Sequence, residues 1–225
     1  MEKTLRVTGK GKLSVKPDTI RLNINLEDTC NDYEVTLERS VKAAETLKDM
    51  IETLGFDRRA LKTVHFNINT VYESYQDKDK GWKQRLTGYK SAHRMKLEFE
   101  TDNKRLGKLL YALAHCPVSP EFVIEYTIAN PETAKTELLG RAVKDSFEKA
   151  KVLAAAAGVG LGDIISIDYT WGEVDFVTRP VNELALKSRS GVAPEACYDI
   201  DIEADDINVS DTVTVVWSIA PVQRD

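Results

Sequence analysis

PETAKTELLGRAVKDSFEKAKVLAAAAG, Pro131 to Gly158, has both ends of a helix written into it. Asn130 can accept from the free amides of a first turn, Pro131 suits the first helical position, and Gly158 suits the left-handed residue on which a helix stops. The pattern predicts one long helix between those ends. Ala134, Leu138, Ala142, Val143, Phe147, Ala150, Ala154 and Ala157 recur every three or four residues, so a broad stripe faces a sheet while Lys135, Arg141, Lys144, Lys149 and Lys151 face water. The alanines of the second half let a sheet or another helix approach closely. Nothing in the stretch carries chemistry.

Upstream, Phe122, Ile124, Tyr126 and Ile128 alternate as a strand leading into this helix. Before it, 101–115 reads as a shorter helix with Leu106, Leu109, Leu110 and Leu113 inside and Pro117 as its stop. Two alternating runs, 61–75 and 86–99, flank the turn-rich QDKDKG and predict a long antiparallel two-stranded arm with Gly81 at its tip. From Asp32 to Leu54 the period is helical, with Leu37, Val41, Ala44, Leu47 or Lys48, Ile51 and Leu54 expected on the inner side and Gly55 closing the helix. The opening alternates through Leu5, Val7, Leu13 and Val15, then again from Ile20 to Leu26. That predicts two antiparallel strands turning at Pro17-Asp18, with a bend or bulge at Gly9 and Gly11. Downstream, Ile165 to Trp171 and Val213 to Ile219 read as strands, the last returning to the first sheet. Between them, 173–210 holds Pro180, Pro194, one short helical run at 181–186 and an acidic stretch, and is longer than a plain loop.

The predicted class is α+β, in two parts. An outer domain of 1–85 with 163–225 carries an antiparallel sheet, and 86–162 forms an inserted β-α-β-α unit covered on one face. A chain of 225 residues with 42% apolar and 30% charged side chains has enough core for this and is not of disordered composition. Its net charge of −5 disfavours a general nucleic-acid binder. Cys30, Cys116 and Cys197 are odd in number and widely spaced, which fits reduced thiols rather than a disulfide framework. With no apolar leader at MEKTLRVTGKG and no run long enough to span a bilayer, the expectation is a cytoplasmic protein without membrane insertion, or a periplasmic or secreted one if a signal segment has been removed.

The chemical motifs are sparse. TGKGK lacks the spacing of a phosphate loop, and Gly158, Gly160 and Gly162 follow a helix and precede a strand, the reverse of a dinucleotide fingerprint. His65, His93 and His115 form no metal-binding spacing with the cysteines, so neither metal nor cofactor is expected. The acidic stretch Glu195, Asp199, Asp201, Glu203, Asp205, Asp206 and Asp211 lacks the glycine and terminal glutamate of a calcium loop and reads as solvated. Against it stand Lys78, Lys80, Lys83, Arg85, Lys90, Arg94 and Lys96 with Tyr72, Tyr75, Trp82 and Tyr89 on the predicted arm. Basic and aromatic residues together can stack on single-stranded nucleic acid or dock an acidic surface of another subunit. The opposite charge carried elsewhere in the chain favours protein contact.

Taken together, TLRVTGKGKLSVKPDTIRLNINLE, TGYKSAHRMKLEF and LLGRAVKDSFEKAKVLAAAAGVGLGDIISI resemble the SIMPL-domain (DUF541) family over nearly the whole chain. The resemblance rests on Gly9, Gly11, Pro17 and Asp18, on the strand entrance Gly88-Tyr89, and on the alanine-rich helix ending at Gly158 and Gly162. It implies a ferredoxin-like middle unit and an outer unit completed by both chain ends. It also implies an uncharacterised, often periplasmic or secreted, sometimes stress-linked or oligomeric protein, with a kinase-pathway binding protein among its relatives. No catalytic residues carry over. Ala204-Asp205-Asp206 stands where the family usually has a proline-glycine turn. The expected function is a non-enzymatic interaction or homo-oligomeric assembly module, with interaction residues Tyr75, Lys78, Lys80, Trp82, Lys83, Arg85, Asp199, Asp201, Asp205 and Asp206. The alternatives are a small-molecule hydrolase using dispersed carboxylates or Cys116, and a single-stranded nucleic-acid binder using the arm.

Overall fold

The structure, a computed structural model, describes residues 3–76, 81–170, 172, 174–179 and 203–221. In chain order its elements are β1 (Thr4–Val15), β2 (Thr19–Cys30), α1 (Tyr33–Thr53), β3 (Lys62–Gln76), β4 (Trp82–Glu100), α2 (Asn103–Ala114), β5 (Glu121–Thr127), α3 (Pro131–Ala157), β6 (Val159–Asp168), β7 (Val177–Thr178) and β8 (Ile207–Pro221). Helices and antiparallel strands segregate as in an α+β fold. The described residues of Met1–Pro17, Thr127–Thr178 and Asp205–Asp225 form one compact unit, and those of Asp18–Tyr126 and Arg179–Ala204 form the other.

In the first unit β8 lies between β1 and β6, antiparallel to both. The long helix has the ends its sequence specifies, with Asn130 accepting from the Thr133 amide and Gly158 left-handed at φ 68°. Its inner stripe, Ala134, Leu138, Ala142, Ser146, Ala150 and Ala154, repeats every fourth residue. Val7, Val213, Val215 and Trp217 pack on the middle of that stripe, and Leu13, Ile128, Phe176 and Ile207 on its start. Phe147 sits at the rim instead, its ring centroid 5.5 Å from that of Trp217.

The expected bend at Gly9 and Gly11 is absent. β1 pairs with β8 without a break, from Thr4 opposite Ser218 to Val15 opposite Ile207. The glycines answer the helix: a Cβ on Gly9 would overlap the Ala142 carbonyl oxygen, and one on Gly11 the Leu138 carbonyl oxygen. Nor do β1 and β2 pair, since Pro17 separates strands of different sheets.

The second unit runs β2-α1-β3-β4-α2-β5, and its strands lie side by side in the order β3, β4, β2, β5. That is the split β-α-β arrangement of ferredoxin-like folds. Ile20, Leu22, Ile24, Met95, Leu97, Phe99 and Tyr126 meet Ala44, Leu47 and Ile51 of α1 and Leu106, Leu109, Leu110 and Leu113 of α2 in one buried core. The chain thus divides elsewhere than at 85/86 and 162/163. The ferredoxin-like unit exists, but it begins at Asp18 and ends at Tyr126, while α3, expected inside it, covers the sheet of the other unit. Helix α1 is also turned from the expected phase: Leu37 and Val41 face solvent, and Thr36 and Ser40 are buried in their place. The helical run at 181–186 lies outside the described residues.

The close approach of α3 separates two kinds of glycine. Gly9→Ala or Gly11→Ala should destabilise the protein by about 1–3 kcal/mol, because backbone cannot give way as a side chain can. Gly140→Ala, on the exposed face of the same helix with nothing near its Cβ position, should stabilise it by roughly 0.5–1 kcal/mol. Urea unfolding midpoints of the three variants check both signs.

Candidate interaction site on the hairpin arm

β3 and β4 pair from Lys62 opposite Lys96 to Gln76 opposite Trp82, with irregularities at Thr63/His65 and Val71/Tyr72. The other edge of β4 is covered by β2 only as far as Cys30 opposite Tyr89. Beyond Gly88 the hairpin therefore continues, among the described residues, with two strands alone, for roughly 20 Å at a strand's rise per residue. Its root is tight, since a Cβ on Gly88 would strike the Cys30 carbonyl oxygen.

Register sorts the arm's side chains. Tyr72 with Leu86, Ser74 with Gln84 and Gln76 with Trp82 share one face; Glu73 with Arg85 and Tyr75 with Lys83 share the other. On the charged face Arg85 Nη2 lies 3.2 Å from Glu73 Oε2, and its guanidinium carbon 5.9 Å from the Tyr75 ring centroid. The apolar face is open: Trp82 is 74% exposed, Tyr72 56% and Leu86 45%. It continues along β3 onto Phe66, whose ring meets His93 edge-on at 5.1 Å. At the root the Tyr33 ring of α1 meets Tyr89 edge-on at 5.6 Å.

Tyr75, Trp82, Lys83 and Arg85 are thus on the arm as expected, but divided between its faces. Lys90, Arg94 and Lys96 are not on it; they lie on the body of β4, where Lys90 pairs with Glu27 and Lys96 with Glu98. Lys78, Lys80, Asp199 and Asp201 lie outside the described residues. Asp205 and Asp206 stand at the entry to β8, Asp205 accepting from the Asp206 amide and Asp206 from Ser14 Oγ. The sequence reading missed Tyr33, Leu37 and Val41 as surface residues because it assigned the last two to the core.

Of the groups in the hydrolase reading, no histidine or carboxylate among the described residues is brought into a hydrogen bond with Cys116. Cys116 is buried, and the neighbouring His115 turns its ring onto Tyr111, at 4.2 Å between centroids, and donates Nδ1–H to the Tyr111 carbonyl. Among the described residues no three histidine, cysteine or carboxylate groups cluster to hold a metal ion. No helix among the described residues is long and apolar enough to cross a membrane.

One titratable group lies under the open apolar face. His93 Nε2 is 2.9 Å from Thr63 Oγ1, its Nδ1 is buried without a partner among the described residues, and burial, helped by Lys48, holds its pKa below the usual imidazole value. The folded chain resists a proton that the unfolded chain takes below about pH 6.5, so stability is full above that value and falls as pH drops through it. Unfolding midpoints at pH 7.5 and 5.5 should differ less for His93→Gln than for the native chain.

Comparison with known proteins covers the chain almost end to end. The family model described as SIMPL, protein of unknown function (DUF541), matches residues 5–217. The 26 kDa periplasmic immunogenic protein of Brucella melitensis is 26% identical over 220 residues, which span 96% of this chain and 84% of that protein. Its counterpart of the same name in Brucella abortus has the same identity and coverage. The uncharacterized protein YggE of Edwardsiella ictaluri is 21% identical over 213 residues, or 95% of this chain and 85% of that one. With the family model spanning both compact units, the chain belongs to the SIMPL (DUF541) family.

Proposed function

We propose that this protein is a non-enzymatic assembly module that associates with further copies of itself through the hairpin arm. The observation that carries the reading is the two-stranded extension beyond Gly88, which commits exposed Trp82, Tyr72 and Leu86 to one face where no core needs them. Large exposed aromatics are the residues that anchor protein interfaces, and the cations beside them orient an approach. Exposed ion pairs contribute at most about 1 kcal/mol each, so the aromatics supply affinity and the charges supply register. The cations call for an acidic counterpart, which the segment containing Asp199, Asp201, Asp205 and Asp206 offers in sequence. The names of the Brucella relatives support a periplasmic setting for the same role.

Removing residues 72–87 and joining Val71 to Gly88 through an Asn-Gly turn keeps the body of the hairpin in register. Sedimentation velocity across a wide concentration range should show the full chain associating reversibly. The shortened chain should associate at least tenfold more weakly, about 1.4 kcal/mol, with an unchanged far-ultraviolet spectrum. Identical behaviour of the two chains sinks the reading, and loss of single-stranded nucleic-acid binding in its place would move that activity to the arm.

A further inference from the structure

We infer that the receiving surface for the arm is the outer flank of α1 on a second copy, centred on Leu37 and Val41. This rests on the assembly reading above and names a receiving surface for the arm's apolar face, which the acidic segment does not supply. Tyr33, Leu37 and Val41 stand at four-residue spacing on the solvent side of α1, with Leu37 37% and Val41 52% exposed. Tyr33 joins this stripe to Tyr89 at the root of the arm, and Phe66 flanks it on the same face of the sheet. Together with Tyr72, Leu86 and Trp82 they make one apolar shelf running from helix to hairpin.

The two ends of the shelf cannot meet within one chain. From Tyr33 beside Tyr89, α1 runs along β4 toward the His93 level, where Lys48 acts on that imidazole. The arm leaves Tyr89 in the opposite direction, towards Trp82. A second copy related by a two-fold axis brings each arm over the other's helix and forms the contact twice. The seven side chains leave roughly 600 Å² open per copy, close to the ~800 Å² per partner of a standard interface.

Charge selects the same occupant. Glu34 and Glu38 border the helix stripe, exposed and with no ion pair among the described residues, while Lys83 and Arg85 lie on the arm. A nucleic acid or an anionic lipid surface laid along the shelf would set its phosphates against those two glutamates, whereas the arm of a second copy approaches with cations on its far face that attract them at longer range. Lys83 and Arg85 leave from the far face of the hairpin, so they orient the approach and the apolar side chains make the contact.

Leu37→Ser with Val41→Ser removes the receiving stripe at exposed positions without touching the arm or the net charge. Self-association should weaken at least tenfold by sedimentation velocity, with the thermal midpoint unmoved. For placement, a Val41→Cys chain mixed with a Trp82→Cys chain should yield an oxidised heterodimer on a non-reducing gel well above the level of either chain alone. If the shortened arm abolishes association while the serine pair and the mixed cysteines have no effect, the assembly reading stands and the helix flank is overturned. If the shortened arm has no effect either, both fail. Cross-linking between two Trp82→Cys chains alone would place arm on arm and also overturn the helix flank.

Discussion

A side-chain ladder from α3 closes the outer edge of β1, and the first unit depends on it. Lys149 Nζ donates to the Thr8 carbonyl at 3.3 Å, Asp145 Oδ2 accepts from the Lys10 amide at 2.7 Å, and Arg141 Nη1 donates to the Lys12 carbonyl at 2.9 Å. Every second residue of an edge strand turns its free backbone groups outward, about 6.6 Å apart, and every fourth residue of a helix advances about 6.0 Å. The two repeats match over three rungs, so one helix flank satisfies what a neighbouring strand would otherwise satisfy. Lys149 first, and then the Lys10 amide, hold the Asp145 carboxyl below its usual range, which keeps it an acceptor. The sheet is thereby blocked against strand addition on the β1 side.

That ladder requires the helix to lie against the strand, and this explains the glycines. Gly9 and Gly11 are the inward-facing positions at which the carbonyls of Ala142 and Leu138 come closest. Alanine and serine on the helix stripe serve the same closeness from the other side, and Ser146 Oγ adds a hydrogen bond to the Val7 carbonyl at 3.2 Å. A sheet of only β1, β8 and β6 has little core of its own, and burial under α3 supplies most of it.

These consequences were unevenly legible in the sequence. Helix ends were plain, because Asn130, Pro131 and Gly158 act within one turn of themselves, and so was the hairpin, whose strands are neighbours in the chain. Strand partnership was not legible. Alternation in 4–15 and 19–30 is equally strong, and nothing local says that the first belongs with 207–221 while the second belongs with 82–100. The boundary error follows, since a β-α-β-α succession reads as a unit in the chain although its last helix packs elsewhere. Glycine was misread for a related reason: a bulge is a local cause, and close approach of a helix more than a hundred residues away is not.

The error at α1 has a different origin. The helix buries Thr36 and Ser40 where Leu37 and Val41 were expected, although a rotation of one residue would put the leucine and valine inside. Ala44, Leu47 and Ile51 fix the rotation in the second half, and the small side chains at 36 and 40 let the first half settle close to β4. Thr36 Oγ1 reaches the Asp32 carbonyl at 2.6 Å and lies 3.5 Å from the Tyr89 carbonyl, whereas Ser40 Oγ is buried without a partner among the described residues. Burying an unpartnered hydroxyl while leaving two aliphatic side chains in water costs stability on both counts. Local choices that contradict the hydrophobic pattern concentrate where surface is kept for another purpose. Here the contradiction begins at Tyr33, beside the root of the arm, and it stops at Val41, before the core-forming half of the helix begins.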